Sequence, residues 1–355
     1  MTEFYEQVKE RLMRYARINT ESDPHSTSVP TTSCQHDLAS IIYEELQEIG
    51  ATNVYYDKDT CVVYGSLEAN VKTGRAIGFV THMDTAPDAS GKDVKPWVLE
   101  NYDGNDIILN KEKNIIMSPS VFPNLKQYIG QDLILTDGTT LLGGDDKASI
   151  AAVMTLLEYL VKHPEIKHNF ISVAFTPDEE VSGLAKNLDL ERFKSPIAYT
   201  LDGDHLGYYM DETFNASLST IEIHGISVHT ATAKGIMKNA VDIGNAFLNK
   251  LPALEKPQYT QGREGFYHVV SFNGDCEYAK IEINVRDHDS LQFDIRNNTL
   301  KMIVDMLNKE YGQGTVNITQ RIQYRNLKEV IDQVPFMIPY LKQAIESVGL
   351  TPQTE

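Results

Sequence analysis

Cysteine is scarce in this chain. Three occur in 355 residues, Cys34, Cys61 and Cys276. An odd number at such wide spacing excludes a disulfide framework and a cysteine-rich zinc site, and it fits a reducing compartment. Positive charge is also short: Lys and Arg number 32 against 50 Asp and Glu, for a formal net charge of −18. The basic residues are scattered, and pairs such as Lys111 and Lys113 read as solvated turns. A chain this acidic repels nucleic acid and anionic membrane, so neither is expected as a partner. No stretch reaches the roughly 18 apolar residues of a membrane span. The opening "MTEFYEQVKERLMRYARI" has helical spacing but no long apolar core, so it does not read as a signal peptide. Repeats and low-complexity segments are missing as well. The expectation is a soluble, cytoplasmic protein.

What remains is ordinary globular composition, 41% hydrophobic and 23% charged. The length exceeds the size at which single cores stop growing, so two domains are expected. Residues 4–18 and 36–49 read as amphipathic helices, the second ending at Gly50. "CVVYGSL", "AIGFVTHMDT", "NFISVAF" and "IAYTL" read as buried strands, and "DLILTDG" with "TTLLGGDD" as a short hairpin or crossover. "KASIAAVMTLLEYLVKH" is apolar almost all round, which predicts a buried helix. Strands alternating with helices predict an α/β sheet between helices. Near residue 208 the pattern changes to a half-exposed strand, "ASLSTIEIHG", a helix, a strand pair around Gly274-Asp275 and a second helix, "FDIRNNTLKMIVDMLNKEYG". This predicts a small α+β domain over 209–322, inserted into a larger one formed by 1–208 and 323–355. A last helix lies in "VPFMIPYLKQAIESVG".

Carboxylates gather at the ends of the expected strands. His82 and Asp84 follow "AIGFVT", Asp145 and Asp146 follow "TLLGG", Glu179 and Glu180 follow "ISVAF", and Asp202 and Asp204 follow "IAYTL". Sites in open α/β sheets form at the carboxyl ends of strands. Each motif has an ordinary reading by itself: a structural His–Asp hydrogen bond, a helix cap, a solvated acidic loop, a turn. Together they would place many negative charges on one rim, which is costly without counter-charge. Only Lys147 stands beside them. A metal is the economical counter-charge, and mixed His and carboxylate ligands suit zinc, manganese or cobalt.

The stretches "HMDTAPDASG", "GGDDKAS", "FTPDEEVSG" and "LDGD" resemble the metal-ligand motifs of the co-catalytic zinc exopeptidases, most of all the tripeptide aminopeptidases among them. "VPTTSCQ", "VFPNLKQYIGQDLILTDGTTLLGGDDKA", "VHTATAKGIMKNA", "EGFYH" and "VRDHDSLQF" extend the likeness over the whole chain. The resemblance implies two zinc ions in a complete site, about 3.5–4 Å apart, that activate a water to release the N-terminal residue of a tripeptide. Residue by residue, it implies that His82, Asp145 and Asp202 hold one metal. Asp145 would bridge to a second, also bound by Glu180. Asp84 would orient His82, Glu179 would be the general base, His229 would polarise the scissile carbonyl from the lid, and Arg286 would contact substrate. It also implies a lid able to dimerise.

Departures from the family pattern are specific. Ser149 stands in place of a usual Gly, Thr230-Ala231 in place of Pro-Gly, and Asp204 in place of a Gly. In the family the chain runs on past a helix like that at 335–349 into a strand, a Gly-Gly-Thr-Asp segment and a His that completes the second metal. None follows "LTPQTE", and no His comes after His288. The expectation is therefore a C-terminally truncated catalytic domain with one well-formed metal position and impaired turnover. Two alternatives stand beside the aminopeptidase: another hydrolase of the clan, such as a dipeptidase or N-acyl amino acid deacylase, and a non-catalytic metal-binding homologue.

Overall fold

The computed structural model describes residues 2–72, 74–182, 187–203 and 205–354. The chain divides into two compact units, Met1–Asp202 and Gly203–Glu355.

The first unit opens with helices α1 (Thr2–Ala16) and α2 (Gln35–Ile49). Leu12, Tyr15 and Ala16 of α1, and Leu38, Ala39, Ile42 and Leu46 of α2, recur at helical spacing and are buried. Strands β1 (Thr52–Asp57), β2 (Val62–Leu67) and β3 (Ile77–His82) follow. Next comes an excursion of short antiparallel pairs, β4 (Trp97–Leu99) with β7 (Leu133–Leu135) and β5 (Ile107–Asn110) with β6 (Ile115–Met117), around its own small core of Tyr102, Ile107, Leu125 and Leu135. Helix α3 (Gly144–Lys162), strand β8 (Ile171–Thr176), the single turns α4 (Glu179–Ser182) and α5 (Leu190–Phe193), and strand β9 (Ala198–Thr200) complete the unit.

The main sheet has the order β1-β2-β8-β3-β9. It is mixed: β2 runs antiparallel to β1 and β8, while β8, β3 and β9 are parallel. One face packs Val63, Val173 and Phe175 against α1, α2 and α3, and the other packs Val62, Tyr64, Val80 and Ala174 against Phe193 of α5. Parallel strands covered on both faces read as continuous apolar runs, which is why "ISVAF" was legible as a strand. The expected α/β sheet between helices is present, and the structure shows it to be mixed. Of the hairpin or crossover expected over 132–146, no hairpin forms: β7 pairs with distant β4, and residues 139–143 form a loop that leads directly into α3.

The second unit holds β10 (Tyr208–Tyr209), β11 (Asn215–His224), α6 (Ala240–Leu248), β12 (Phe266–Gly274), β13 (Tyr278–Asp287), α7 (Ser290–Tyr311), β14 (Val316–Tyr324), α8 (Lys328–Ile331), α9 (Met337–Ser347) and β15 (Gln353–Thr354). Its four-stranded antiparallel sheet has the order β12-β13-β11-β14. Alternate residues of β13, Ala279, Ile281, Ile283 and Val285, are buried with Phe247 of α6 and Phe293, Leu300 and Leu307 of α7. The small α+β domain is as expected, with β14 an edge strand the pattern did not disclose. Residues 323–355 pack within this unit. Among the described residues, no helix is long and apolar enough to cross a membrane.

Candidate active site

The parallel strands bring their carboxyl ends to one edge. In register, His82 of β3 lies beside Thr176 of β8, and Thr200 of β9 lies beside Val80 of β3. His82 and Asp84, Glu179 and Glu180, and Asp202 therefore emerge together. Asp145 and Asp146 arrive differently. They sit in the first turn of α3 with non-helical backbone, joined by a cis peptide bond. Gly143 before them has φ +74°, a left-handed conformation that suits glycine. A Cβ there would also lie 3.0 Å from Thr85 Cγ2 and 3.3 Å from Lys147 Nζ.

His82 is the hub. It is buried, and its ring is clamped from both sides. Nδ1 lies 3.1 Å from the Asp84 carbonyl oxygen and 3.3 Å from Asp84 Oδ1. Nε2 faces outward, 2.9 Å from Asp145 Oδ1 and 3.9 Å from Asp202 Oδ2. The ligand atoms of His82, Asp145 and Asp202 all lie within 4.8 Å of one another. Two ligands on a tetrahedral zinc, each about 2.0–2.1 Å from the ion, are roughly 3.3 Å apart, so the spacings here bracket that value. One imidazole nitrogen and two carboxylates are a fitting donor set for a divalent transition metal. The Asp84 contact fixes which nitrogen does this work, since Nδ1–H donating to Asp84 leaves Nε2 as the ligand atom.

Asp84 does more than orient the ring. It is fully buried, and its two carboxylate oxygens accept the backbone N–H groups of Glu179 at 2.9 Å and Glu180 at 3.1 Å. One side chain thus sets the position of the His and of the glutamate turn. Asp146, also buried, accepts the backbone N–H of His82 at 3.1 Å and so belongs to the frame of the site.

Without a metal, the charges of the cluster act chiefly on His82. Burial pulls the His82 pKa down, but hydrogen bonds to Asp145 and Asp84 and the charges of Asp84 and Asp146 outweigh it and push it up to about 11. The imidazolium acts as the local counter-charge. The hydrogen bond from His82 holds Asp145 below the usual carboxylate range. Burial raises Glu179, Glu180 and Asp202, with neighbouring carboxylates adding to it and His82 partly offsetting it. After burial, the strongest influence on Glu180 is Asp145, whereas on Glu179 it is His82. Lys147 is not a direct partner of the cluster. It is buried, donates to the Ile18 carbonyl at 2.8 Å, and burial pulls it down to about 8.

Four further positions need separate comment. Asp178, first of the three consecutive acids, turns away from the rim towards Thr31 and Gln35. Asp204 lies outside the described residues. His229 and Arg286 belong to the second unit: His229 is exposed and its Nδ1 accepts from the Ala231 N–H at 3.2 Å. Arg286, half-buried on β13, lies over the rings of Phe214 at 5.5 Å and Tyr324 at 5.9 Å. Among the described residues it makes no ion pair, and burial lowers its pKa. Sequence reasoning missed the frame roles of Asp146 and Asp178, whose only signal is their adjacency to the ligands.

Comparison with known proteins shows what the chain resembles as a whole. Residues 212–315 match the family described as the peptidase dimerisation domain. The chain is 46% identical over 346 residues to Peptidase T of Alkaliphilus oremlandii, covering 97% of this chain and 84% of the relative. In fold it is similar to the aminopeptidase PepT from Bacillus cereus, with a TM-score of 0.74 at 20% identity over 99% of this chain and 84% of that one. It is similar in fold, too, to a dinuclear metal-binding peptidase of the M20 family from Bacillus subtilis, with a TM-score of 0.60 at 10% identity over 100% of this chain and 83% of that one.

Proposed function

Since this chain belongs to the peptidase T family, we propose that it is a metal-dependent aminopeptidase that releases the N-terminal residue of tripeptides. The observation that carries the reading is the Asp84 clamp. It turns His82 Nε2 towards Asp145 and Asp202 while holding the Glu179–Glu180 turn at the same rim.

His82, Asp145 and Asp202 would hold one zinc ion, and Asp145 with Glu180 would contribute to a second. When bound, the metal supplies Lewis acidity: it polarises the scissile carbonyl and lets water give up a proton near neutral pH. Glu179 accepts that proton and delivers it to the nitrogen of the leaving amine as the peptide bond breaks. Burial holds its carboxyl above the ordinary value, which suits a group that must both take and return a proton. His229 would donate to the carbonyl oxygen. Arg286, set between aromatic rings without a carboxylate partner among the described residues, would hold a carboxylate of the substrate.

On the likeness to the family, and although residues 323–355 pack with the second unit here, we assign the catalytic domain to residues 1–208 with 323–355, and the lid to 209–322. The lid contains the residues matching the dimerisation domain, which supports a homodimer. Three free thiols support a reducing, cytoplasmic setting. Relatives at this identity leave the dipeptidase, deacylase and non-catalytic readings without support. Product analysis on Ala-Ala-Ala, N-acetyl-Ala-Ala-Ala and Ala-Ala tests the assignment. Free tripeptide should be cleaved to alanine and dialanine, with little turnover of the other two. Preference for the acetylated peptide would overturn it.

A further inference from the structure

The "VPTTSCQ" stretch lies far in sequence from every residue given a role above, yet it meets the turn that carries Glu179 and Glu180. Asp178 stands between the end of β8 and Glu179, with φ +61°, a conformation that non-glycine residues seldom adopt. Its carboxylate is buried and accepts from Thr31 and Gln35. The Thr31 N–H lies 2.9 Å from both oxygens, Thr31 Oγ1 2.5 Å from Oδ1, and Gln35 Nε2 2.7 Å from Oδ1. In return, the Asp178 N–H donates to Gln35 Oε1 at 3.2 Å. Gln35 is fully buried. The amide of Gln35 thus reads both the side chain and the backbone of Asp178, while Thr31 closes the other side.

The position of this clamp gives it a consequence for the reaction. The next two N–H groups along the chain, those of Glu179 and Glu180, are the ones bound by Asp84. The turn carrying both glutamates is therefore gripped twice, by Thr31 and Gln35 through Asp178 and by Asp84 just past the His82 strand. A carboxyl group bound by both the backbone and side-chain donors of one segment is held directionally. It holds a backbone conformation that would otherwise be unfavourable.

We propose that Asp178, Thr31 and Gln35 form a positioning clamp that sets the aim of Glu179 and Glu180. The "VPTTSCQ" segment is then part of the catalytic apparatus, though it touches neither metal nor substrate. The inference rests on the reading of Glu179 as general base. Displacing a catalytic group by about 1 Å can cost on the order of 100-fold in rate.

The test uses the metal-loaded enzyme and three variants. Asp178→Asn keeps the size and tolerates positive φ, but turns an N–H₂ towards a donor. Thr31→Val removes the hydroxyl alone. Thr31→Ser restores it. Expected are losses in kcat of roughly 10- to 100-fold for Asp178→Asn and Thr31→Val, with KM within about threefold, and near-parental values for Thr31→Ser. A second readout is independent of turnover. Amide hydrogen exchange at Glu179 and Glu180 should quicken at least about tenfold in the first two variants, with β8 amides unchanged and Thr31→Ser like the parent. Parental kcat or parental exchange at those two amides in folded Asp178→Asn and Thr31→Val would overturn the clamp. So would equal loosening throughout β8, which would mark a merely structural role. Glu179→Gln, run alongside, separates the two ideas. If it retains full turnover, the general-base reading fails. If it is inactive while the clamp variants turn over normally, only the clamp fails.

Discussion

Glu179 and Glu180 are adjacent and chemically identical, but their neighbours differ. Asp145 dominates the charge around Glu180, and His82 that around Glu179. On the proposed division of labour, Glu180 contributes to a metal and Glu179 works as the base. Glu179→Gln should then lower kcat by roughly 100- to 10,000-fold with metal content close to the parent, while Glu180→Gln should lose metal. Metal analysis after dialysis, beside tripeptide turnover, checks this; equal metal loss in both would show the pair is wrongly divided. At this scale the sequence was informative about which residue types gather and silent about where they point. "PDEE" announces three acids, but only the structure shows Asp178 facing Thr31 and Gln35 while its two successors feel the charges of His82 and Asp145. Side-chain direction at a single left-handed residue depends on its tertiary partners, which leave no local pattern.

Among the elements, the strand ends were legible and the start of α3 was not. Apolar runs ending in His or acid marked β3, β8 and β9, because parallel buried strands are uniformly apolar and the site must sit at their carboxyl ends. Asp145, by contrast, was expected at the end of a strand that does not exist. A loop turning through Gly143 into a helix carries no period, so its ligand reaches the rim by backbone geometry alone. Ser149 then fastens that helix to β9 by donating to the Leu201 carbonyl. This makes Gly143 a sensitive position. Gly143→Ala should cost about 1–2 kcal/mol from its left-handed backbone, and the new methyl group would press on Thr85 and Lys147. Denaturant midpoints should fall accordingly, and metal affinity should fall with them. An unshifted midpoint would mean the turn relaxes without cost.

For the whole molecule, an α/β sheet between helices and a change to a small α+β domain were readable from changes in periodicity. The pairing of β4 with β7 and the edge strand β14 were not, since non-local pairing of short strands has no signature along the chain. The acidity of the rim also has a consequence for the molecule as a whole. In the metal-free protein, burial, offset in part by Ser149 and His82, pushes Asp146 up to about 7, and burial raises Glu179, Glu180 and Asp202 as well. A folded pKa above the unfolded value of about 4 stabilises fully below that value, and the contribution is lost as pH rises through the folded pKa. His82 has the same sign but shifts at higher pH, between about 6.5 and about 11. Asp145 acts in the opposite direction, at pH below its ordinary range. The Tm of metal-free protein should therefore decline from about pH 4.5 to about pH 7.5, and saturating zinc should remove the decline by engaging the deprotonated ligands. A metal-free Tm that rises over that window would contradict the charge balance described.

The central claim is that the group around His82 is a metal centre that drives peptide hydrolysis. Tripeptide turnover measured on chelator-stripped protein, and again during stepwise return of zinc, tests it most directly. The account predicts no turnover in the stripped protein and recovery as metal is restored, with His82→Ala unable to recover. Undiminished turnover in the stripped protein, or full recovery by His82→Ala, would contradict it.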